Sequence, residues 1–140
     1  MSILALDVGQ KRIGVAVSGP NDLLARSLTV IRVRNRKQSL EAVRRLVEQE
    51  GAAEVVVGHP LNMDGTVGEQ ARKAESFARQ LARIVPVPVT LWDERLSTQQ
   101  AQEALIEAGV RRKARRARLD AAAAAAILQS YLDREPKPEA

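Results

Sequence analysis

Apolar, β-favouring residues run from Ile3 to Leu6, stop at Asp7, turn through Gly9 to Gly14 and resume from Ile13 to Val17. This pattern predicts a strand ending in Asp7 and a return strand beside it. Gly19-Pro20-Asn21-Asp22 reads as a turn. Ser27 to Val33, with β-branched Val30, Ile31 and Val33, predicts a third strand that leads into a basic corner of Arg32, Arg34, Arg36 and Lys37. From Gln38 to Glu50, Leu40, Val43, Leu46 and Val47 recur at helical spacing, and Gly51 stops the helix. Val55-Val56-Val57 has the unbroken apolar character of a strand buried on both faces.

That strand runs into a loop, Gly58-His59-Pro60-Leu61-Asn62-Met63-Asp64-Gly65. A second helix should carry Val67, Ala71, Ala74, Ala78, Leu81 and Val85 on one stripe; Pro86 and Pro88 bracket its exit, and Val87 to Trp92 reads as a fifth strand. Ser97, three residues before Gln100, fits a capping box for a helix with Ala101, Ala104, Leu105 and Ala108 inward and Gly109 at its end. A last helix is expected from about Asp120 to Leu132, with Ile127, Leu128 and Tyr131 as its larger contacts. The expected architecture is α/β: a five-stranded mixed sheet, antiparallel at its start, with helices on both faces. One domain is expected over residues 1–133, with a disordered tail at 134–140.

Composition narrows the chemistry. The 140 residues suffice for one core without staples. There is no cysteine and one histidine, His59, so metal chemistry must be carboxylate chemistry. The start lacks the charged region of a signal peptide, and no apolar run approaches the roughly 20 residues of a membrane span. A soluble cytoplasmic protein is expected. Lys and Arg number 22 against 17 acids, a formal charge of +5, which favours polyanionic partners. One Trp, one Tyr and one Phe provide no platform for stacking single-stranded bases.

Two predicted strands end in acid, at Asp7 and at Asp93-Glu94, and Asp120 would open the last helix. Strand ends pointing the same way share one edge, so Asp7 and Glu94 can converge there. A carboxylate trio on such an edge suits Mg²⁺ or Mn²⁺, hard ions that take oxygen ligands. Paired ions about 3.5–4 Å apart serve phosphoryl chemistry by activating water and stabilising the departing oxygen.

Four stretches, in order, carry a resemblance over nearly the whole chain: Asp7-x-Gly9-x-Lys11-Arg12-Ile13-Gly14-x-Ala16, Gly58-x-Pro60-Leu61-Asn62-Met63-x-Gly65, Asp93-Glu94-Arg95-Leu96-Ser97, and Asp120-x-x-Ala123-Ala124-x-x-Leu128-Gln129-x-Tyr131-Leu132. Together they resemble the YqgF/RuvX family. Its members have a ribonuclease H-like fold and are described as Holliday junction resolvases or as nucleases maturing the 5′ end of the small-subunit ribosomal RNA precursor. The resemblance implies a metal-dependent phosphodiesterase acting on structured nucleic acid, pre-16S rRNA before a DNA junction. It makes Asp7, Glu94 and Asp120 the catalytic metal ligands, with Asp93 an outer partner or alternate ligand. The fourth strand of the wider ribonuclease H pattern supplies an acid, yet Val55 to Asn62 contains none. The fifth strand must then donate it, and alternation allows only one of Asp93 and Glu94 on the site's face.

Cations should handle the substrate. Lys11 and Arg12, beside Asp7, can touch the scissile phosphate. Arg95 and the segment Arg111-Arg112-Lys113-Ala114-Arg115-Arg116-Ala117-Arg118, six cations in eight residues, can hold the backbone. Plainer uses compete: Asp7 as a turn former, Asp120 as a helix N-cap, Glu94 and Arg95 as a surface ion pair. His59 is read as loop structure, and Asn62 as holding the loop to its own backbone. Rival functions are an ATP-binding domain of the actin and sugar-kinase type and a non-catalytic nucleic-acid-binding module. Cutting a junction twice calls for a homodimer, whereas trimming an RNA end needs only a monomer.

Overall fold

Leu4 and Leu6 are buried on one side of the first strand and Ala5 on the other; the same division separates Val15 and Val17 from Ala16, and Val55 and Val57 from Val56. A sheet built this way must be covered on both faces. The structure, a computed structural model, describes residues 2–19, 24–93 and 112–134, with side chains in the last helix described from residue 122. Its elements are β1 (Ser2–Val8), β2 (Arg12–Ser18), β3 (Ala25–Arg32), α1 (Arg36–Glu50), β4 (Ala52–His59), α2 (Glu69–Ala82), β5 (Val89–Asp93) and α3 (Arg112–Leu132).

The five strands lie in the order β3-β2-β1-β4-β5. β1 pairs antiparallel with β2 and parallel with β4; β2 and β3 are antiparallel, and β4 and β5 parallel. The larger core lies under α1 and α2, where Leu4, Leu6, Ile13, Val15, Val55 and Val57 meet Val43, Val47, Phe77 and Leu81. On the other face Ala124, Ile127, Leu128 and Tyr131 of α3 pack on Ala5, Ala16 and Val56. Ala123 and Ala124 of the alanine run are buried.

Several boundaries differ from the sequence reading. α1 begins at Arg36, two residues early, because Asn35 caps it: its Oδ1 accepts from the Gln38 N–H at 2.9 Å. Gly51 ends it in the left-handed conformation, φ 60°. Val67 precedes α2 and is exposed, and Val85 follows it, although buried; the stripe of α2 is Ala71, Ala74, Phe77, Ala78 and Leu81. The largest correction concerns α3. It starts at Arg112, so residues 112–118 are helical and Asp120 stands inside the helix and cannot be its N-cap. Residues 94–111, including the predicted capping box and its helix, and the tail from 135 lie outside the described residues.

Candidate active-site edge

The topology brings the ends of β1, β3, β4 and β5 and the start of β2 to one edge of the sheet. Asp7 sits there, half-buried, directly opposite Gly14 of β2. On its other side Leu6 pairs with Val57, which brings Asp7 level with Gly58. Alternation puts Asp7, Gly14 and Gly58 on the α3 face, in line with Ala5, Ala16 and Val56. Neither strand neighbour therefore has a side chain beside the Asp7 carboxylate. Glycine inside a strand marks a place where a ligand or another backbone comes close. Both glycines were legible in the sequence, but their shared face became visible only with the strand register.

Asp93 ends β5 opposite His59 of β4. Trp92 packs with the α3-side core, whereas Leu91 and Val89 line a cleft against α2 with Ala78 and Arg79. Alternation then directs Asp93 to the α2 face, away from Asp7. This disfavours Asp93 as a partner of Asp7 and leaves the adjoining acid, Glu94, which lies outside the described residues together with Arg95 and Arg111. β4 does contain an acid, Glu54, near its opposite end, where it accepts hydrogen bonds from the Tyr131 hydroxyl and, at 3.3 Å, from Thr90 Oγ1. Burial first, then the bond to Glu54 and its charge, push the Tyr131 hydroxyl up to about 12, with Arg134 opposing.

The direction of α3 follows from its far end. Tyr131 reaches Glu54, and Gln129 Oε1 accepts from the Ala25 N–H at 2.9 Å, both at the edge remote from Asp7. The helix therefore begins on the Asp7 side. Asp120 occupies the backbone position one turn before Ala124. About 18 Å of helix precedes Ala124, more than the roughly 10 Å of strand from Ala5 to the end of β1. The backbone of the first turns of α3 is thus long enough to reach the sheet edge.

Lys11 is exposed in the β1–β2 turn, which the Gly9 N–H closes on the Arg12 carbonyl at 2.9 Å. A Cβ on Gly9 would stand 2.7 Å from that carbonyl oxygen, so the turn requires glycine. Arg12, opening β2, lies on Asp7's face by alternation.

The loop after β4 is held by its own bonds. Asn62 Nδ2 donates to Thr66 Oγ1 at 2.9 Å and the Asn62 N–H to the Thr66 carbonyl at 2.9 Å, while Asp64 Oδ1 accepts from the Thr66 N–H at 3.0 Å. His59 is the last residue of β4, not part of the loop, and its Nε2 is 2.8 Å from Glu75 Oε2 of α2, a tie between strand and helix.

Among the described residues no three acids or imidazoles stand together as a metal-ligand group; the Asp7 carboxylate is an oxygen donor of the kind that suits a hard divalent cation. No helix among the described residues is long and apolar enough to cross a membrane.

Residues 1–134 match the family model RuvX, described as Holliday junction resolvase. A protein of Moorella thermoacetica named "Putative pre-16S rRNA nuclease" is 48% identical over 134 residues, covering 96% of each chain. One of the same name from Pelotomaculum thermopropionicum is 45% identical over 139 residues, 99% of this chain and 90% of its own. Among solved structures, Thermus thermophilus RuvC in complex with a Holliday junction substrate superposes with a TM-score of 0.59 at 19% identity, covering 95% of this chain and 97% of RuvC. The fowlpox virus resolvase bound to junction DNA gives 0.57 at 13% identity, covering 95% and 97%. Matched along nearly its whole length, and folded as a ribonuclease H-like α/β domain of the RuvC type, the chain belongs to the RuvX family.

Proposed function

We propose that this protein is a metal-dependent endonuclease that processes the 5′ end of pre-16S rRNA. The observation that carries the reading is Asp7: a half-buried carboxylate near a strand end, flanked on its own face by two glycines. In this reading Asp7, Glu94 and Asp120 hold Mg²⁺ or Mn²⁺, which when bound supplies Lewis-acid activation of water and neutralises phosphate charge. The chain's own groups do the rest. Gly14 and Gly58 leave room for a phosphate beside Asp7, and Lys11 and Arg12 hold that phosphate and stabilise the charge that develops on it. Arg95 and the helical cations Arg112, Lys113, Arg115 and Arg116, with Arg111 before them, grip the flanking backbone.

The choice of RNA rests on the names of the relatives at 45% and 48% identity. A second reading, Holliday junction resolution, is favoured by the family description. Labelled 5′-extended pre-16S RNA and a mobile four-way DNA junction, offered side by side with Mn²⁺, separate the two. Cutting of the RNA alone is expected. Paired symmetric cuts in the junction, with the RNA intact, would replace the proposal by the second reading, and would call for a homodimer where RNA trimming needs only a monomer.

A further inference from the structure

From Leu24 to Leu40 the chain has no acidic residue and five cations, Arg26, Arg32, Arg34, Arg36 and Lys37. Arg26 lies at the far edge and pairs with Glu50 at 3.8 Å. The other four are carried to the edge that holds Asp7. Arg32 is the cross-strand partner of Arg12, and the Val33 N–H donates to the Lys11 carbonyl at 2.8 Å, so the end of β3, the β1–β2 turn and the start of α1 form one corner. By alternation Arg32, like Arg12, is on Asp7's face.

This concentration is unfavourable in the folded chain alone. Like charges directly opposite in a strand pair repel. Arg36 and Lys37 occupy the first turn of α1, where there is no acid and the helix dipole is positive. Farther along the same helix, cations are neutralised: Arg44 bridges Glu41 and Glu48, and Arg45 is 3.5 Å from Glu41. Arg36 is turned to α2, with Nη1 at 3.5 Å from Ser76 Oγ and 3.4 Å from Gln80 Oε1, and its guanidinium 5.5 Å above the Phe77 ring. Lys11, Arg32, Arg34 and Lys37 remain exposed, with no ion pair to any described acid. A polyanion crossing this corner would relieve the repulsion.

We propose that Arg32, Arg34 and Lys37, continuing outward from Lys11, form a phosphate track that holds the nucleic-acid backbone flanking the scissile bond on the β3 side of Asp7. The track rests on the nuclease reading above, in which nucleic acid is the ligand. β3 is two strands from β1, about 10 Å at roughly 4.8 Å per strand, so the track meets phosphates a few nucleotides from the cut. It contains no aromatic side chain, and such contacts set position without reading sequence. The substrate is therefore gripped on both sides of the site, by the corner and by the basic turns of α3.

The test is binding without cutting. In an Asp7→Asn background with chelator, the affinity of a fluorescent 5′-extended pre-16S RNA fragment is measured by anisotropy from roughly 50 to 200 mM salt, the range over which phosphate contacts show themselves. The corner variant is Arg32→Gln/Arg34→Gln/Lys37→Gln; the control, Arg44→Gln/Arg45→Gln/Arg79→Gln, removes the same charge elsewhere. The corner variant is expected to lower the log–log salt slope by about 2–3, at roughly 0.7–0.9 per lost contact, and the control by less than about 1. An unchanged slope, or an equal loss in the control, would overturn the track and leave the nuclease reading standing. Failure of the wild type to cut this RNA would sink that reading without touching the binding result. The corner variant should melt no lower than its parent; a fall of several degrees would contradict the unrelieved repulsion.

Discussion

Asp7, next to last in β1, and Asp93, last in β5, stand at the same edge on strands that run in the same direction, one strand apart, yet they lie on opposite faces of the sheet. Two acids so placed cannot share an ion. Glu94→Gln should therefore reduce cleavage at least a hundredfold, and Asp93→Asn less than about tenfold, a barrier difference of roughly 1.4 kcal/mol or more. Single-turnover cleavage by the two variants decides it, and the reverse order would exchange their roles.

Gly58 predicts a second separation. A methyl group there would stand beside the Asp7 carboxylate, whereas the strand itself gains from losing a glycine, by roughly 0.5–1 kcal/mol. Gly58→Ala should keep or raise the denaturation midpoint while cleavage falls at least tenfold. Undiminished cleavage would show that the space beside Asp7 is not used.

Asp120 within α3 behaves differently from a cap. Loss of an N-cap costs about 1 kcal/mol, but inside a helix Asp→Ala is neutral or stabilising by up to about 0.7 kcal/mol. Asp120→Ala is thus expected to melt at or above the wild-type temperature and to lose cleavage. A drop in stability with activity retained would return Asp120 to a structural role.

Tyr131 gives a pH signature. Its hydroxyl, raised to about 12 in the folded chain against an ordinary value near 10, keeps its proton longer when folded than when unfolded. The stability this contributes is complete below pH 10 and is lost as pH rises from 10 toward 12, up to about 3 kcal/mol at roughly 1.4 per unit. Tyr131→Phe should flatten that part of the stability profile in urea titrations. Parallel profiles for the two proteins would contradict a hydroxyl raised by burial and by Glu54.

The strands were legible because their periodicity is strong: β1 runs one residue past the Asp7 at which it was expected to stop, and the mixed five-stranded sheet with helices on both faces follows from element order. Phe77 escaped because a stripe read from small residues in Ala71, Ala74 and Ala78 already looked complete. The start of α3 escaped for an electrostatic reason. Six cations in eight residues suggest a solvated loop, and Asp120 resembles a cap, but arginine, lysine and alanine are also good helix formers. At the site, the motif acids could be named from the sequence, whereas the faces of Asp7, Gly14, Gly58 and Asp93 depend on strand register between distant segments. The basic corner was visible as four cations; its union with Lys11 required the β2–β3 pairing.

The central claim is that Asp7 anchors a metal-dependent cut in pre-16S rRNA. It is tested most directly by incubating wild-type and Asp7→Asn protein with 5′-extended precursor RNA, with Mg²⁺ or Mn²⁺ and with chelator. Cleavage is expected from the wild type with metal and not with chelator, together with a loss of at least a hundredfold in an Asp7→Asn protein that binds RNA normally. Full metal-dependent cleavage by Asp7→Asn would contradict it.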